Sequence, residues 1–377
     1  MHGSSGTRSP GLDGLRGLAI LMVLLTHYGS SLNRASLPQH VVRSIFDFGW
    51  TGVDLFFVLS GFLITGILLR TKEAENYFSA FYTRRVLRIF PLYYTSLIVM
   101  FFLVMPNLPG APPPLVFWRK IAYFVYVQNW LPPAQWMGQY WTLAVEEQFY
   151  LLWPLVVFCA RRERILTIAV GASALAVLLR FALLALHVDS ESILENTFTR
   201  MDALLIGAAC ACLMREGAWA TRLRRHANRL CFIPVIVMAA IYAVDRNFYR
   251  ESPLMGSIGY TLIDLSFAAL LLALVATPGE PSVLQRFFGS ATMRALGKYS
   301  YAAYIWHILV RVLAGYLERD VLHVRFPWFL NIPLLVALTV AASMLSYAII
   351  ERPVLSLKRY FEPRFAGAKA KAATVTA

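Results

Sequence analysis

The sequence predicts an all-α, polytopic membrane helical bundle of about ten transmembrane helices, and three observations carry that prediction. Of the 377 residues, 58% are hydrophobic and only 15% are charged, with a mean hydropathy of +0.58. A water-soluble domain does not carry so much apolar surface. Apolar runs long enough to cross a hydrocarbon core of ~30 Å recur from one end of the chain to the other. Trp and Tyr stand at the run ends, among them Trp50, Trp130, Trp136, Tyr140, Trp141 and Trp328, where an amphipathic ring matches the headgroup layer.

The runs put helices near 14–32, 48–69, 87–105, 141–160, 164–187, 200–214, 230–244, 257–277, 299–317 and 328–350. The first follows a short basic N-terminus but lacks a small-residue cleavage signal and carries Arg16 and His27, so it reads as a retained anchor helix. The aromatic stretch 115–131 is interrupted by Arg119 and Lys120 and reads as an interfacial or re-entrant helix. Most of the 35 Lys and Arg residues fall in alternate short segments, Arg70, Lys72, Arg161, Arg162, Arg215 and Arg352 among them. The positive-inside rule then gives cytoplasmic N- and C-termini. The net charge of +14 belongs mainly to the inner face, and no nucleic-acid partner is needed to account for it. The four cysteines, Cys159, Cys210, Cys212 and Cys231, have neither metal-ligand spacing nor the density of a disulfide framework and read as small buried hydrophobes. One membrane domain, 1–360, is expected, followed by an Ala/Lys-rich cytoplasmic tail, 361–377, expected to be disordered.

Charged side chains in hydrocarbon cost roughly 2.5–3.5 kcal/mol each even on the mildest insertion scale, so a span that keeps them usually needs them. His27 follows Arg16 by a helical rise of about 16 Å, which carries its imidazole just past the midplane toward the outside. Glu146 and Glu147 fall about 8–9 Å below the outer end of the fourth span. Asp54, Asp202, Asp264, Arg180 and Arg311 fall in outer halves of their spans, and His307 near the middle of the ninth. Each has a plain structural reading beside the chemical one. A membrane His can simply donate to a backbone carbonyl. Adjacent Glu residues point about 100° apart, so one can serve only to neutralise an Arg such as Arg180 or Arg311. The three Asp residues read first as members of structural ion pairs. On charge alone Arg84, Arg85 and Arg88 are no more than the positive-inside signal.

Short motifs in a fixed order change that balance. The first is Leu12-Asp13-Gly14-Leu15-Arg16-Gly17 followed by His27, a basic residue, ten intervening positions and a His. Then come Phe56-Phe57-Val58-Leu59-Ser60-Gly61-Phe62-Leu63-Ile64, Arg84-Arg85-Val86-Leu87-Arg88-Ile89-Phe90-Pro91-Leu92-Tyr93-Tyr94, and Trp141-Thr142-Leu143-Ala144-Val145-Glu146-Glu147-Gln148-Phe149-Tyr150-Leu151. Later blocks are Arg200-Met201-Asp202 leading to Gly207, Leu296-Gly297-Lys298-Tyr299-Ser300-Tyr301 running on to His307, and Glu351-Arg352-Pro353. Over nearly its whole length the chain resembles the acyltransferase-3 family of bacterial integral-membrane O-acyltransferases, which acylate sugars and related hydroxyl compounds.

The resemblance implies transfer of an acyl group, commonly acetyl, from cytoplasmic acyl-coenzyme A to a hydroxyl of a glycan or lipid-linked sugar, in a multi-pass protein of the bacterial inner membrane. Attack on a thioester requires the hydroxyl proton to leave as the new bond forms, and a neutral imidazole suits that task. His27 is the expected base, with Glu147 or Glu146 as the carboxylate that orients it. Coenzyme A presents phosphates, which guanidinium groups bind with paired hydrogen bonds; Arg85 and Arg88, expected at an inner-face helix start, suit that role with Arg16. Asp13, Asp202, Tyr301 and His307 are further polar candidates, and no metal is expected. Because the phosphates stay at the inner face while His27 lies deeper, a narrow polar cavity should join them. Direct transfer and an acyl-enzyme on His27 both stay open, as does self-association. Some relatives carry an added hydrolase-like domain; this chain stops soon after Pro353, so acceptor choice is expected from the bundle, its outer loops or a separate protein. The alternative is a multi-pass transporter or exporter, which also keeps buried charges, although repeated halves and paired broken helices are lacking. A scaffold or sensor is a third and more distant reading.

Overall fold

Each of the predicted apolar segments is helical in the computed structural model, which describes residues 10–33, 35–215, 229–245, 252–276 and 282–365 and a few positions between 219 and 250. In chain order the helices are α1 (Pro10–Gly29), α2 (Leu37–Asp47), α3 (Gly52–Thr71), α4 (Tyr77–Ile98), α5 (Phe117–Phe124), α6 (Tyr140–Cys159) and α7 (Arg162–Ala185). They continue with α8 (Ser190–Glu195), α9 (Thr197–Leu213), α10 (Ile233–Asp245), α11 (Tyr260–Ala276), α12 (Val283–Phe288), α13 (Ala291–Tyr316) and α14 (Trp328–Ser346). No strand occurs among the described residues. Local chemistry fixes several starts: Asp189 caps α8 by accepting from the Ser192 amide at 2.7 Å, and Asn196 caps α9 through the Phe198 amide at 2.8 Å. Ser282 and Gln285 form a reciprocal capping box on α12.

Six helical stretches among the described residues are long and apolar enough to cross a membrane: Leu37–Thr71, Tyr77–Asn107, Tyr140–Cys159, Arg162–Ala185, Met255–Val275 and Trp328–Tyr360. The other predicted spans are helices of a different kind. Those at α9 and α10 are short, and those at α1 and α13 carry charged and imidazole groups that turn inward to the site. α2 lies where the sequence suggested only a loop; its exposed Leu37, Val41 and Ile45 recur every four residues and form one apolar stripe. The segment 115–131 holds the eight-residue α5 and a 3₁₀ turn at Gln128–Trp130. α4 begins at Tyr77 rather than near 87, because its first turns are built of aromatic and basic residues that depress hydropathy without opposing a helix. Arg84, Arg85 and Arg88 are therefore interior to α4 and not at its start.

The interior is built on close helix crossings. α1 packs along α13, and α3 along α9. At the second crossing a Cβ added at Gly61 would lie 1.8 Å from the Leu204 carbonyl oxygen, and one at Gly207 would lie 2.1 Å from that of Val58. Only glycine lets these backbones approach so closely, as small residues do at many membrane helix contacts. α7 runs at the rim, with Val170, Leu175, Leu178 and Phe181 outward. Residues 366–377 of the expected disordered tail lie outside the described residues. Residues before them are fastened to the start of α4: the Asn76 side chain donates to the Glu362 carbonyl at 3.0 Å and accepts from the Arg364 amide at 2.8 Å.

Candidate active site

Two cavities lie among the described residues, and most of the polar candidates divide between them. The wider, about 670 Å³, is walled by the C-terminal half of α1, the N-terminal ends of α3, α6 and α9, and the second half of α13. His27, Trp50, Trp141, Arg200, Tyr304 and Arg311 line it. The narrower, about 80 Å³, has room for only a handful of waters. Arg16, Ser60, Arg85, Arg88, Glu146 and Glu147 face it, with Tyr150, Tyr301 and Tyr304. Val53 and Tyr304 line both. The rise of α1 explains the division, since Arg16 and His27 are three turns apart on one helix.

His27 is held by its own helix, its Nδ1 lying 2.8 Å from the Val23 carbonyl oxygen. A carbonyl only accepts, so Nδ1 carries the proton and the neutral ring keeps its Nε2 lone pair available. The ring meets His307 edge to face, centroids 4.8 Å apart. His307 is fully buried; its Nδ1 donates to the Tyr304 carbonyl at 2.6 Å, and its Nε2 has no hydrogen-bond partner among the described residues. Tyr28 ties the two imidazole helices to α14, donating toward the His307 carbonyl at 3.2 Å and sharing a hydrogen bond with Thr339 Oγ1 at 2.5 Å.

In the narrower cavity Glu146 accepts a hydrogen bond from Ser60 at 2.7 Å. The Arg85 guanidinium stands over the Tyr150 ring, 5.1 Å from its centroid, and Arg16 faces the same space. Arg88 is electrostatically opposed to Glu351, buried in the turn after α14. The Tyr301 hydroxyl donates to the Ile89 carbonyl at 2.8 Å. The neighbour of His27 is thus His307, while Glu146 and Glu147 stand with the arginines across the shared wall.

Four of the other buried charges are joined in two ion pairs. Arg180 is fully buried and pairs with Asp202 at 2.9 Å, donates to the Ser257 carbonyl at 3.0 Å and is bonded to the Thr199 carbonyl and Thr261 hydroxyl. The Thr261 hydroxyl donates to Asp202 at 2.6 Å. Arg200 pairs with Asp54 and lies over the Tyr260 ring at 4.1 Å. Arg180 is therefore not the counter-charge of Glu146 or Glu147. Asp202 and Asp13 line neither cavity. Asp264 is fully buried with both oxygens lacking a hydrogen bond among the described residues, and Arg200 acts on it electrostatically.

Sequence reasoning passed over Ser60, Thr142, Gln148 and Tyr304, although each stands in or beside a quoted motif. Attention to charge hid them. Gln148 is a hub: it donates to the Tyr126 carbonyl at 2.7 Å and to Asn129 at 2.9 Å and accepts from Thr197 at 2.6 Å, tying α6 to the 125–131 loop and α9.

Residues 9–348 match the family model described as an acyltransferase domain, that of acyltransferase-3. The chain belongs to the acyltransferase-3 family. The chain is 30% identical to the peptidoglycan O-acetyltransferase OatA of Listeria monocytogenes over 92% of this chain and 55% of the relative. It is 29% identical to the provisionally named peptidoglycan O-acetyltransferase YrhL of Bacillus subtilis, over 92% and 54%. Against a provisionally named O-acetyltransferase of Staphylococcus aureus it is 27% identical over 91% and 57%. The chain spans about half the length of these curated relatives. No solved structure matches it. The transporter alternative finds no support among relatives that carry transferase names.

Proposed function

We propose that this acyltransferase moves an acetyl group from cytoplasmic acetyl-coenzyme A to a hydroxyl of a glycan, with His27 as the general base. The observation that carries the reading is the pair of abutting cavities, one bearing an imidazole with a free lone pair and the other three arginines. The arginine cavity suits the donor, since Arg16, Arg85 and Arg88 can meet its phosphates with charge-assisted hydrogen bonds. The wide cavity suits a sugar, with Trp50 and Trp141 for its apolar faces and His27 within reach of a hydroxyl. The names of the relatives favour a glycan acceptor, free or lipid-linked.

In the reaction the acceptor oxygen attacks the thioester carbonyl, its proton passes to His27 Nε2, the carbon–sulfur bond breaks and the coenzyme A thiolate takes up a proton. Glu146, braced by Ser60, and Glu147 hold Arg85 in position by charge rather than orienting the imidazole. An acyl-His27 intermediate would use the same two compartments. Ten crossings with both termini cytoplasmic, in a bacterial inner membrane, bring the arginine cavity toward the side that holds acyl-coenzyme A.

The test is release of free coenzyme A from acetyl-coenzyme A by the purified full chain in detergent, with and without a chitooligosaccharide acceptor. Acceptor-dependent release should fall about 10²–10⁴-fold in His27→Ala while the donor still binds. A His27→Ala protein that turns over normally would remove the imidazole from the mechanism.

A further inference from the structure

The two cavities share two lining side chains, Val53 and Tyr304, of which only Tyr304 carries a polar group. Tyr304, on α13, lines both and is buried between Phe56, whose ring centroid is 6.2 Å away, and His307, at 5.5 Å. Its hydroxyl lies 2.7 Å from Thr142 Oγ1 and 3.1 Å from the Gln139 carbonyl oxygen, while Thr142 Oγ1 lies 3.1 Å from that same oxygen. Three contacts thus join two hydroxyls and one carbonyl, but two hydroxyls bring only two protons. At any moment one contact lacks a hydrogen. The latch on the ring is satisfied in more than one way, which is what a side chain needs if it is to leave and return at small cost.

We infer that Tyr304 is the partition between donor and acceptor compartments, a positioning residue that keeps acceptor-side water from the thioester and yields when the acyl group is delivered to the acceptor beside His27. The inference rests on the proposed acyl transfer and adds to it a control over which nucleophile arrives. In productive turnover a carbon–oxygen bond forms to the acceptor, the carbon–sulfur bond breaks, and the hydroxyl proton leaves through His27 while the thiolate is protonated. If the partition is missing, water takes the acceptor's place, and the same bond changes give acetate and free coenzyme A.

The experiment measures free thiol released from acetyl-coenzyme A by the full chain without any acceptor. Y304A should raise this acceptor-independent release at least tenfold over wild type, and T142V, which loosens the latch but leaves the ring, should raise it less. Y304F, keeping the ring and one neighbouring hydroxyl, should stay within a fewfold of wild type. Should Y304A not fold, T142V carries the same test. Release in Y304A or T142V no higher than in wild type overturns the partition. If wild type meanwhile shows acceptor-dependent turnover, the acyl-transfer reading stands without it. If no variant and no wild type consumes acetyl-coenzyme A, the acyl-transfer reading falls and the partition falls with it.

Discussion

Arg180 with Asp202, an ion pair, and Arg85 with Glu146, opposite charges facing one cavity, lie within the same helical bundle and are held in opposite ways. The first is sealed: both side chains are fully buried, the Ser257 carbonyl takes a further Arg180 donor, and the Thr261 hydroxyl donates to the same Asp202 oxygen that Arg180 meets, while the other Asp202 oxygen has no hydrogen-bond partner among the described residues. The second faces a cavity, braced by Ser60 on one side and the Tyr150 ring on the other. Burying a charge is costly in either place. Direct pairing offsets that cost in the sealed cluster and leaves no cavity beside it among the described residues, whereas the second set borders a space that water or a ligand can enter.

The contrast can be broken experimentally, beginning with the largest effect. His27→Ala should cost acceptor-dependent turnover about 10²–10⁴-fold yet leave thermal unfolding in detergent nearly unchanged, because its ring makes one local hydrogen bond and one edge contact. Arg180→Met should do the reverse. Leaving Asp202 buried without its partner should destabilise the protein by about 3–5 kcal/mol, read as a lowered Tm, with kcat/KM per folded molecule within about twofold of wild type. A stable but inactive Arg180→Met protein would move that pair from structure to chemistry. Arg85→Ala should raise the donor KM roughly ten- to a hundredfold and spare acceptor KM and Tm. An unchanged donor KM would take Arg85 out of the donor site. Smallest is Ser60→Ala, which removes one hydrogen bond to Glu146 and should lower kcat/KM about two- to tenfold.

Much of this contrast is legible in the sequence. Hydropathy marks the helices because a membrane demands uninterrupted apolar length, and rise per residue separates Arg16 from His27 into different compartments. The ion-pair reading of Asp54 and Asp202 follows from the cost of isolated charge. Partner identity does not follow: that His27 meets His307 and not Glu147 depends on how α1 and α13 are phased about their crossing, which neither helix encodes alone. α2 is invisible to a search for spans because its apolar stripe covers one face only. The start of α4 is hidden because Tyr and Arg, which suit an interface, read as polar to a hydropathy window. Tyr304 and Thr142 carry no charge, so their importance emerges only when two cavities are seen to share a wall.

Gln148 has a mechanical consequence. By fastening α6 to the 125–131 loop and to α9, it makes a stiff strut of the helix on which Glu146 and Glu147 ride, and the glycine crossing joins α3 to the same block. A space of about 80 Å³ cannot admit a pantetheine chain without enlarging, and that block is poorly suited to give way. Enlargement then falls first to rings and guanidinium groups, whose rotamers exchange far faster than packed helices slide. Admission of the donor on this scaffold is a matter of side chains stepping aside, with the backbone keeping time behind them.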